Sequence, residues 1–422
     1  MKVISLFSGA GGLDLGLEAA GFDIAVCVEN DPNAKLTLKH NRPKWKILEP
    51  GDVFIHSPRE ILRIGQLRPG EAFILSAGPP CQPFSKAALW VNGKVPGNKD
   101  SRAKTLSALM RIVEEALPNF IILENVELLL RLGKNSGYLV LQKEIARINR
   151  QQGTKYKWLI FKINAADYGV PQTRIRIFLL ADREGRSFTL PERTHFPPDR
   201  YQTKPTHVTA WEAIGDLDRI HFNEELLPSG KWKELIKTIP EGYNYLWHTN
   251  RGQGSPLFGW RTRYWSFLLK LNKKRPSWTL PANPGPATGP FHWKNRLLSS
   301  KELARLQTFP DDYEILGSYS AIRRQVGNAV PPLIGEILGK EIRVQWLDHK
   351  INEKYTFLRN RYSAKPTKSH IISVPGNFMH LVGCYRDHPG HGKGPGARLR
   401  KKLLRKGGIA DASKKSKNLN RN

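Results

Sequence analysis

The segment KVISLFSGAGGLDLGLEAAG, residues 2–21, decides the fold. KVISLF is an apolar, β-branched run of strand length, and LDLGLEAAG has helical spacing and closes on Gly21. Between them lie Gly9, Gly11 and Gly12. A strand that feeds a glycine-rich turn and then a helix is the first half of a βαβ unit. In an open α/β sheet such a turn sits at the carboxyl ends of the strands, where ligands bind. Glycine there lets the backbone turn tightly and approach a ligand; the alternative is a turn with only a structural role.

Further strands read outward from this unit as IAVCVEN, FILSAGPP, NFIILENV and IRIFLLAD, with the helical segment RAKTLSALMRIVEEA between two of them. The alternation predicts an α/β architecture with a parallel sheet. Ser8, Cys81 and Glu124 each follow or end a strand, so they converge on one sheet edge. Glu29 ends the second strand, where a carboxylate can accept hydrogen bonds from ribose hydroxyls. Together with the glycine turn it points to a nucleoside cofactor. The glycine spacing is not the G-x-G-x-x-G form of a dinucleotide site.

The chain of 422 residues has three cysteines, Cys27, Cys81 and Cys384, without paired or zinc-type spacing, which argues against a disulfide framework and for a reducing compartment. Cys27 lies inside a strand and reads as a small buried hydrophobe. Cys81 differs, because GPPCQPFS, residues 78–85, places it in a proline-stiffened loop at a strand's carboxyl end. A free thiol with a pKa near ~8.5 is only a few per cent thiolate at neutral pH, so a reactive role needs an electropositive setting. Glu124 reads as a half-buried carboxyl able to carry a proton to a ring nitrogen, or else as an ordinary strand-end acid. In QTRIRIFLL, period-two alternation puts Arg174 and Arg176 on one face and sends Ile175, Ile177 and Leu179 into the core. Two arginines on one face orient a carboxylate and a carbonyl oxygen, or are plain surface residues.

Lys and Arg number 67 against 37 Asp and Glu, a formal charge of +30 that concentrates polyanions at the surface. Nucleic acid is the first partner this suggests, and a solvated or ribosome-associated basic surface is the alternative. The N-terminus has no secretory apolar core and no stretch is apolar enough to span a bilayer, so a cytoplasmic protein with no membrane partner is expected.

Composition divides the chain. Residues 1–185 are expected to be the catalytic and cofactor-binding domain. Residues 186–298 hold seven of the eleven tryptophans (Trp211, Trp232, Trp247, Trp260, Trp265, Trp278 and Trp293) and read as a loop-rich second domain; LPANPGPATGP within it is an irregular loop. From 299 to 350 the chain returns to the first domain. There SSKELARLQTFP carries a serine N-cap with Glu302 in the first turn, and PPLIGEILGKEIRVQWL reads as an amphipathic helix. Residues 351–384 are an extension, and 385–422, with twelve Lys/Arg against two Asp, a flexible basic tail.

In this order, FSGAGGLDLG, VEND, GDV, GPPCQPFS, ENV, QTRIRIF, KELARLQTFP and QVGNAVPP resemble the motif set of the S-adenosylmethionine-dependent DNA (cytosine-5-)-methyltransferases. The match covers residues 1 to about 185 and about 299 to 340. The resemblance implies a class I S-adenosylmethionine methyltransferase fold: α/β, Rossmann-like, with a mostly parallel seven-stranded sheet between helices and a small target-recognition domain across a cleft. It implies S-adenosylmethionine as cofactor. Phe7 would lie by its adenine or sulfonium, the backbone of Gly9, Ala10, Gly11, Gly12 and Leu13 by its methionine part, and Glu29 on the ribose. Asp52 and Val53 would meet the adenine edge, Pro80 would border both sites, and Asn328 and Val330 would complete the pocket.

For catalysis the resemblance implies Cys81 as nucleophile at cytosine carbon 6, Glu124 at ring nitrogen 3, Arg176 on the carbonyl oxygen and Arg174 positioning Glu124. The substrate would be double-stranded DNA with the target base flipped out. Ser85, Arg261 and Arg263 would contact it, and the enzyme would act as a monomer. The usual role of a prokaryotic member is protection against a companion restriction endonuclease. Lys301 stands where members often carry arginine. Rival readings are a tRNA methyltransferase of the same chemistry, disfavoured by the long recognition region, and a silent nucleic-acid-binding protein, disfavoured by the intact Cys81, Glu124 and Arg176.

Overall fold

The computed structural model describes residues 1–80, 101–130, 136–199, 203–222, 225–259, 264–347 and 354–384. Its strands are β1 (Lys2–Leu6), β2 (Asp23–Val28), β3 (Ala72–Ala77), β4 (Phe120–Asn125), β5 (Leu159–Asn164), β6 (Gln172–Thr173), β7 (Ile175–Asp182) and β8 (Ser277–Trp278). Six of them form one sheet in the order β2-β1-β3-β4-β7-β5, and β6 with β8 makes a short separate ribbon. The α-helices are α1 (Gly12–Ala19), α2 (Pro32–Asn41), α3 (Pro58–Gly65), α4 (Ser101–Ala116), α5 (Gly137–Gln152), α6 (Ala210–Ile214), α7 (Ser300–Leu306), α8 (Tyr319–Asn328) and α9 (Pro332–Leu347).

Alternate residues of the central strands enter two cores. Val3, Ile74, Phe120, Ile122 and Phe178 face α1 and α9, while Ile4, Leu6, Leu75, Ile121, Leu123 and Leu179 face α3, α4 and α5. Burial on both faces is what makes these strands continuous apolar runs. The chain passes from β1 to β2 on one side and reaches β3 on the other, so the order reverses between β1 and β3. That switch point opens a crevice at the carboxyl ends of the strands.

The structure changes several expectations. The sheet has six strands among the described residues, not seven, and β7 runs antiparallel to both β4 and β5. Strand β5 has no counterpart in the sequence reading, because it is an edge strand whose residues are mostly half-buried or exposed and its apolar alternation is weak. Ile175, the first residue of β7, does not enter the core; it is 44% exposed. Helix α9 is not amphipathic in its first half. Residues 331–340 are buried on every side, including Glu336 and Lys340, which pair at 3.0 Å.

The polar side of α9 is covered by residues 354–384. The Glu336 carboxylate accepts the backbone N–H groups of Thr356 (2.7 Å) and Phe357 (3.0 Å), and Lys340 Nζ donates to the carbonyl of Lys354. The segment then crosses the molecule as a strap. Arg359 pairs with Asp311, Tyr362 N–H donates to the Glu212 carbonyl, and Trp211 Nε1 donates to the Ala364 carbonyl. Lys273 Nζ reaches the Thr367 carbonyl, and Phe378 ends in a third core with Leu235, Ile239, Tyr245, Phe258, Phe267 and Phe291.

The tryptophans divide between these cores. Trp211 and Trp293 belong to the first, Trp232 and Trp247 pack against the third, and Trp265 is 55% exposed. Trp260 and the basic tail lie outside the described residues. LPANPGPATGP is irregular apart from one bridge between Thr288 and Phe267. No helix among the described residues is long and apolar enough to cross a membrane.

The return to the first sheet depends on close backbone contact. A Cβ at Gly16 would stand 2.3 Å from the Pro332 carbonyl oxygen, and one at Gly12 2.1 Å from that of Val330. Both lie on the face of α1 that receives the incoming chain. Helix α7 opens with the expected cap: Ser299 accepts from Glu302 N–H at 3.1 Å, and the Glu302 carboxylate accepts from Ser299 N–H at 2.8 Å. Glu302 is fully buried. Burial alone would raise its pKa, but the Arg296 fork at 2.7 Å and His292 outweigh it and hold the carboxyl at about 2.

Two outcomes follow. Gly16→Ala forces backbone apart, and a loss of at least ~1–3 kcal/mol is expected in denaturant titration. Glu302 has a depressed folded pKa, so its contribution is complete above its ordinary value of 4.5 and is lost as pH falls toward about 2. Melting temperatures of Glu302→Gln and wild type should therefore differ most at neutral pH and converge as the pH falls through that window.

Candidate active site

The carboxyl ends of β1 to β4 surround a cleft of about 440 Å³. From β1 come Phe7, Ser8 and Gly9, from β2 Glu29, from β3 Gly78, Pro79 and Pro80, and from β4 Glu124. Asp52 and Val53 line it from the loop before α3, and Asn328 and Val330 from the returning segment. Gly12 and Leu13 are also in its wall, whereas Ala10 and Gly11 are not. The Ala10 carbonyl accepts the Tyr313 hydroxyl at 2.9 Å, and Gly11, the N-cap of α1, sits against Leu38 and Tyr313. Those two residues hold the turn from behind. Cys81, Ser85, Arg261 and Arg263 lie outside the described residues; Pro80, immediately before Cys81, is at the cleft wall.

Local geometry explains the motif residues. Phe7 has φ 56°, a left-handed conformation that non-glycine residues rarely adopt, and it turns the chain out of β1 into the cleft. Gly9 donates its N–H to Glu29 Oε2 at 2.6 Å, and Asp31 N–H donates to Oε1 at 2.7 Å. Burial raises the Glu29 pKa while these amides oppose the shift, so its carboxylate is held in a fixed orientation at the rim. The space above Gly9 is open, as a nucleoside cradle requires. Asn125 donates to the Pro79 carbonyl at 3.1 Å, so the asparagine of ENV steadies the loop that leads to Cys81.

Glu124 is 8% exposed and pairs with Arg176, whose Nε lies 3.0 Å from Oε1. Arg176, expected on the cytosine carbonyl oxygen, is thus also an ion-pair partner of Glu124. Arg174, 1% exposed, donates from Nη2 to the Gly327 carbonyl at 3.0 Å. The chain leaves regular strand geometry at Arg174, between β6 and β7, which frees that side chain to reach across to the returning segment. Both arginines still face the cleft.

Two glutamines fix the returning segment. Gln172 Nε2 donates to the Leu306 carbonyl and to Gln307 Oε1, while its own Oε1 accepts from Leu280 N–H. Gln307 Nε2 donates to the carbonyls of Val326 (2.6 Å) and Ala329 (3.1 Å). Both side chains are fully buried, so these bonds have no competition from water. They hold Asn328 and Val330 at the cleft.

Sequence reasoning missed Asp14, Asn30, Asp31, Thr105, Arg324 and Gln325, all in the cleft wall. Asp31 had a signal, the N-cap position before Pro32, and it also pairs with Arg324 at 2.7 Å. Asp14 and Gln325 lie inside the motifs FSGAGGLDLG and QVGNAVPP, but each sits within a helix, where neighbouring residues do not mark it as facing a cleft.

Apolar Phe7 and Val53, the open cradle over Gly9, the Glu29 carboxylate and a buried Asp14 Oδ2 with no hydrogen-bond partner among the described residues fit a nucleoside that also carries a cationic amino-acid part. S-Adenosylmethionine has this chemistry. Fold and cleft together define a class I methyltransferase.

The chain belongs to the C-5 cytosine-specific DNA methylase family, whose model matches residues 1–344. It is 37% identical over 373 residues to the Type II methyltransferase M.SacI of Streptomyces achromogenes, covering 82% of this chain and 93% of that protein. It is 33% identical to the Type II methyltransferase M.NgoFVII of Neisseria gonorrhoeae, covering 78% and 83%. Among solved structures, a DNA modification methyltransferase encoded within an E. coli prophage superposes with a TM-score of 0.59 at 23% identity, covering 83% of this chain and all of that one. The protein is a DNA cytosine-5 methyltransferase that uses S-adenosylmethionine as methyl donor. The tRNA reading is the less supported one, since the family model and these curated relatives are of DNA-modifying type.

Gln307→Ala removes the donor shared by Val326 and Ala329. It should weaken S-adenosylmethionine binding about tenfold in calorimetry, and an unchanged affinity would show that the segment is held without it.

Proposed function

We propose that the enzyme methylates carbon 5 of a cytosine flipped out of a specific duplex sequence, with Cys81 as nucleophile. The observation that carries this reading is the Glu124–Arg176 pair, which shares one cleft with the glycine turn of β1 and with Pro80, the residue before Cys81. Carbon 5 is a poor nucleophile while the ring is aromatic. The Cys81 thiolate adds to carbon 6, and the electron pair moves toward nitrogen 3, where Glu124 delivers a proton. The resulting enamine makes carbon 5 nucleophilic. Bound S-adenosylmethionine supplies the electrophilic methyl group. Loss of the carbon 5 proton, return of the nitrogen 3 proton to Glu124 and expulsion of the Cys81 thiolate restore aromaticity.

Arg176 holds Glu124 in place and offers its remaining N–H groups to the cytosine carbonyl oxygen. Arg174 acts at one remove, through the Gly327 carbonyl. Flipping costs a few kcal/mol, roughly, which phosphate contacts by a chain of charge +30 offset. The unit cored by Tyr245, Phe258 and Phe267 would read the sequence, with Arg261, Arg263 and Ser85 on DNA. Trp265, exposed and edge-on to Trp278 at 5.6 Å, would be a further DNA contact of this unit. The enzyme acts as a monomer in a prokaryotic cytoplasm, the tail adds nonspecific affinity, and the methyl mark protects DNA from a companion endonuclease.

Cys81→Ser should lower methyl transfer to duplex DNA by roughly a thousand-fold or more and leave salt-sensitive DNA binding intact. With cofactor present, duplexes carrying 5-fluorocytosine at the methylated position should trap a covalent complex with the wild type only. Undiminished turnover by the serine variant would end the mechanism, and transfer to tRNA in preference to DNA would end the substrate assignment.

A further inference from the structure

Asp14 lies in the first turn of α1, is 1% exposed and is in the wall of the same cleft as Phe7, Gly9 and Glu29. Its Oδ1 accepts from Ser76 Oγ at 3.4 Å, and its Oδ2 has no hydrogen-bond partner among the described residues. The groups around it are neutral or acidic. Ser5 and Ser8, joined through their hydroxyls at 2.8 Å, stand beside it with the buried Cys27 thiol, and Glu29 and Glu18 are the charges that act on it. Among the described residues no cation offsets the carboxylate. Burial, with a smaller push from Glu29 and Glu18 and against the opposing serine hydrogen bonds, raises its pKa to about 7.

A buried acceptor without a donor destabilises a protein unless a ligand supplies the missing group. S-Adenosylmethionine brings two positive groups to this cleft. Its sulfonium has no N–H or O–H to donate, whereas its α-ammonium has three N–H donors and a full charge. We propose that Asp14 is a cofactor-binding residue whose carboxylate accepts a hydrogen bond from the α-ammonium of S-adenosylmethionine. This rests on the reading of the cleft as the cofactor site and is independent of Cys81 and the chemistry at the cytosine. It also gives Ser5 and Ser76 a role, since their short hydroxyl side chains crowd the carboxylate while leaving Oδ2 without a donor among the described residues.

Calorimetry with the full-length enzyme tests it, using S-adenosylmethionine and S-adenosylhomocysteine, which keeps the ammonium and lacks the sulfonium charge. Asp14→Asn should raise the Kd of both ligands by about the same factor, tenfold or more at pH 8. For the wild type, affinity should fall as pH drops below about 7, where a proton competes for the carboxylate, and Asp14→Asn should flatten that profile. Binding to the wild type near pH 6.5 should release a proton, seen as a heat that varies with the ionisation enthalpy of the buffer; this needs no variant to fold. An unchanged Kd in Asp14→Asn, a loss confined to S-adenosylmethionine, or a wild-type heat independent of buffer would each overturn the proposal. Failure of the wild type to bind either ligand would instead overturn the reading of the cleft.

Discussion

The contact between the first helix and the segment that returns to it some three hundred residues later holds the rest of the molecule in place. Helix α1 offers glycine at positions 12 and 16, one turn apart, and the backbone at Val330 and Pro332 lies directly on it. Without that approach Asn328 and Val330 would not reach the cleft that β1 and β2 begin. Glycine 12 thus has a duty beyond ligand approach, since the nearest atom to its missing side chain is protein. Buried Gln172 and Gln307 complete the join with hydrogen bonds to backbone carbonyls and amides, a kind of bond that resists small shifts because each lost partner would leave a buried polar group unpaired.

The chemistry of the site follows from which charges this join brings together. Acidic groups gather at the strand ends, where Glu29, Asp31, Asp14 and Glu124 all face the cleft. Two are met by arginines, Asp31 by Arg324 and Glu124 by Arg176, and one by backbone amides. Each pairing links separate stretches of chain, so the cleft's charge balance forms only when the whole domain is assembled. The two arginines of QTRIRIF show how position separates like residues: Arg176, in regular strand, pairs with the carboxylate of β4, while Arg174, at the strand break, secures the returning segment.

Beyond residue 344, where the family match ends, the chain carries a strap that few of its sequence features announce. It begins on Glu336 and Lys340, two charged residues inside an otherwise apolar helix environment, and it ends with Phe378 in the core of the tryptophan-rich unit. It therefore ties α9 to the tryptophan-rich unit through backbone hydrogen bonds and one buried ring. Burying Glu336 and Lys340 is tolerable because they pair with each other and the strap supplies their remaining partners.

The sequence by itself determined the sheet strands that are buried on both faces, the glycine turn, the cap at Ser299, the burial of Cys27 and the family. Each depends on local pattern: apolar runs, turn residues and capping chemistry act over a few neighbours and leave a readable trace. It also located most of the cleft, because residues after strand ends share one edge of any parallel sheet. Only the tertiary structure decided the direction of β7, the edge strand β5, the pairing of Glu124 with Arg176 and the inclusion of Asp14 in the cleft. Strand direction and ion-pair choice depend on distances between residues far apart in the chain, and a polar residue in a helix shows nothing in its own neighbourhood of what the fold will bring against it.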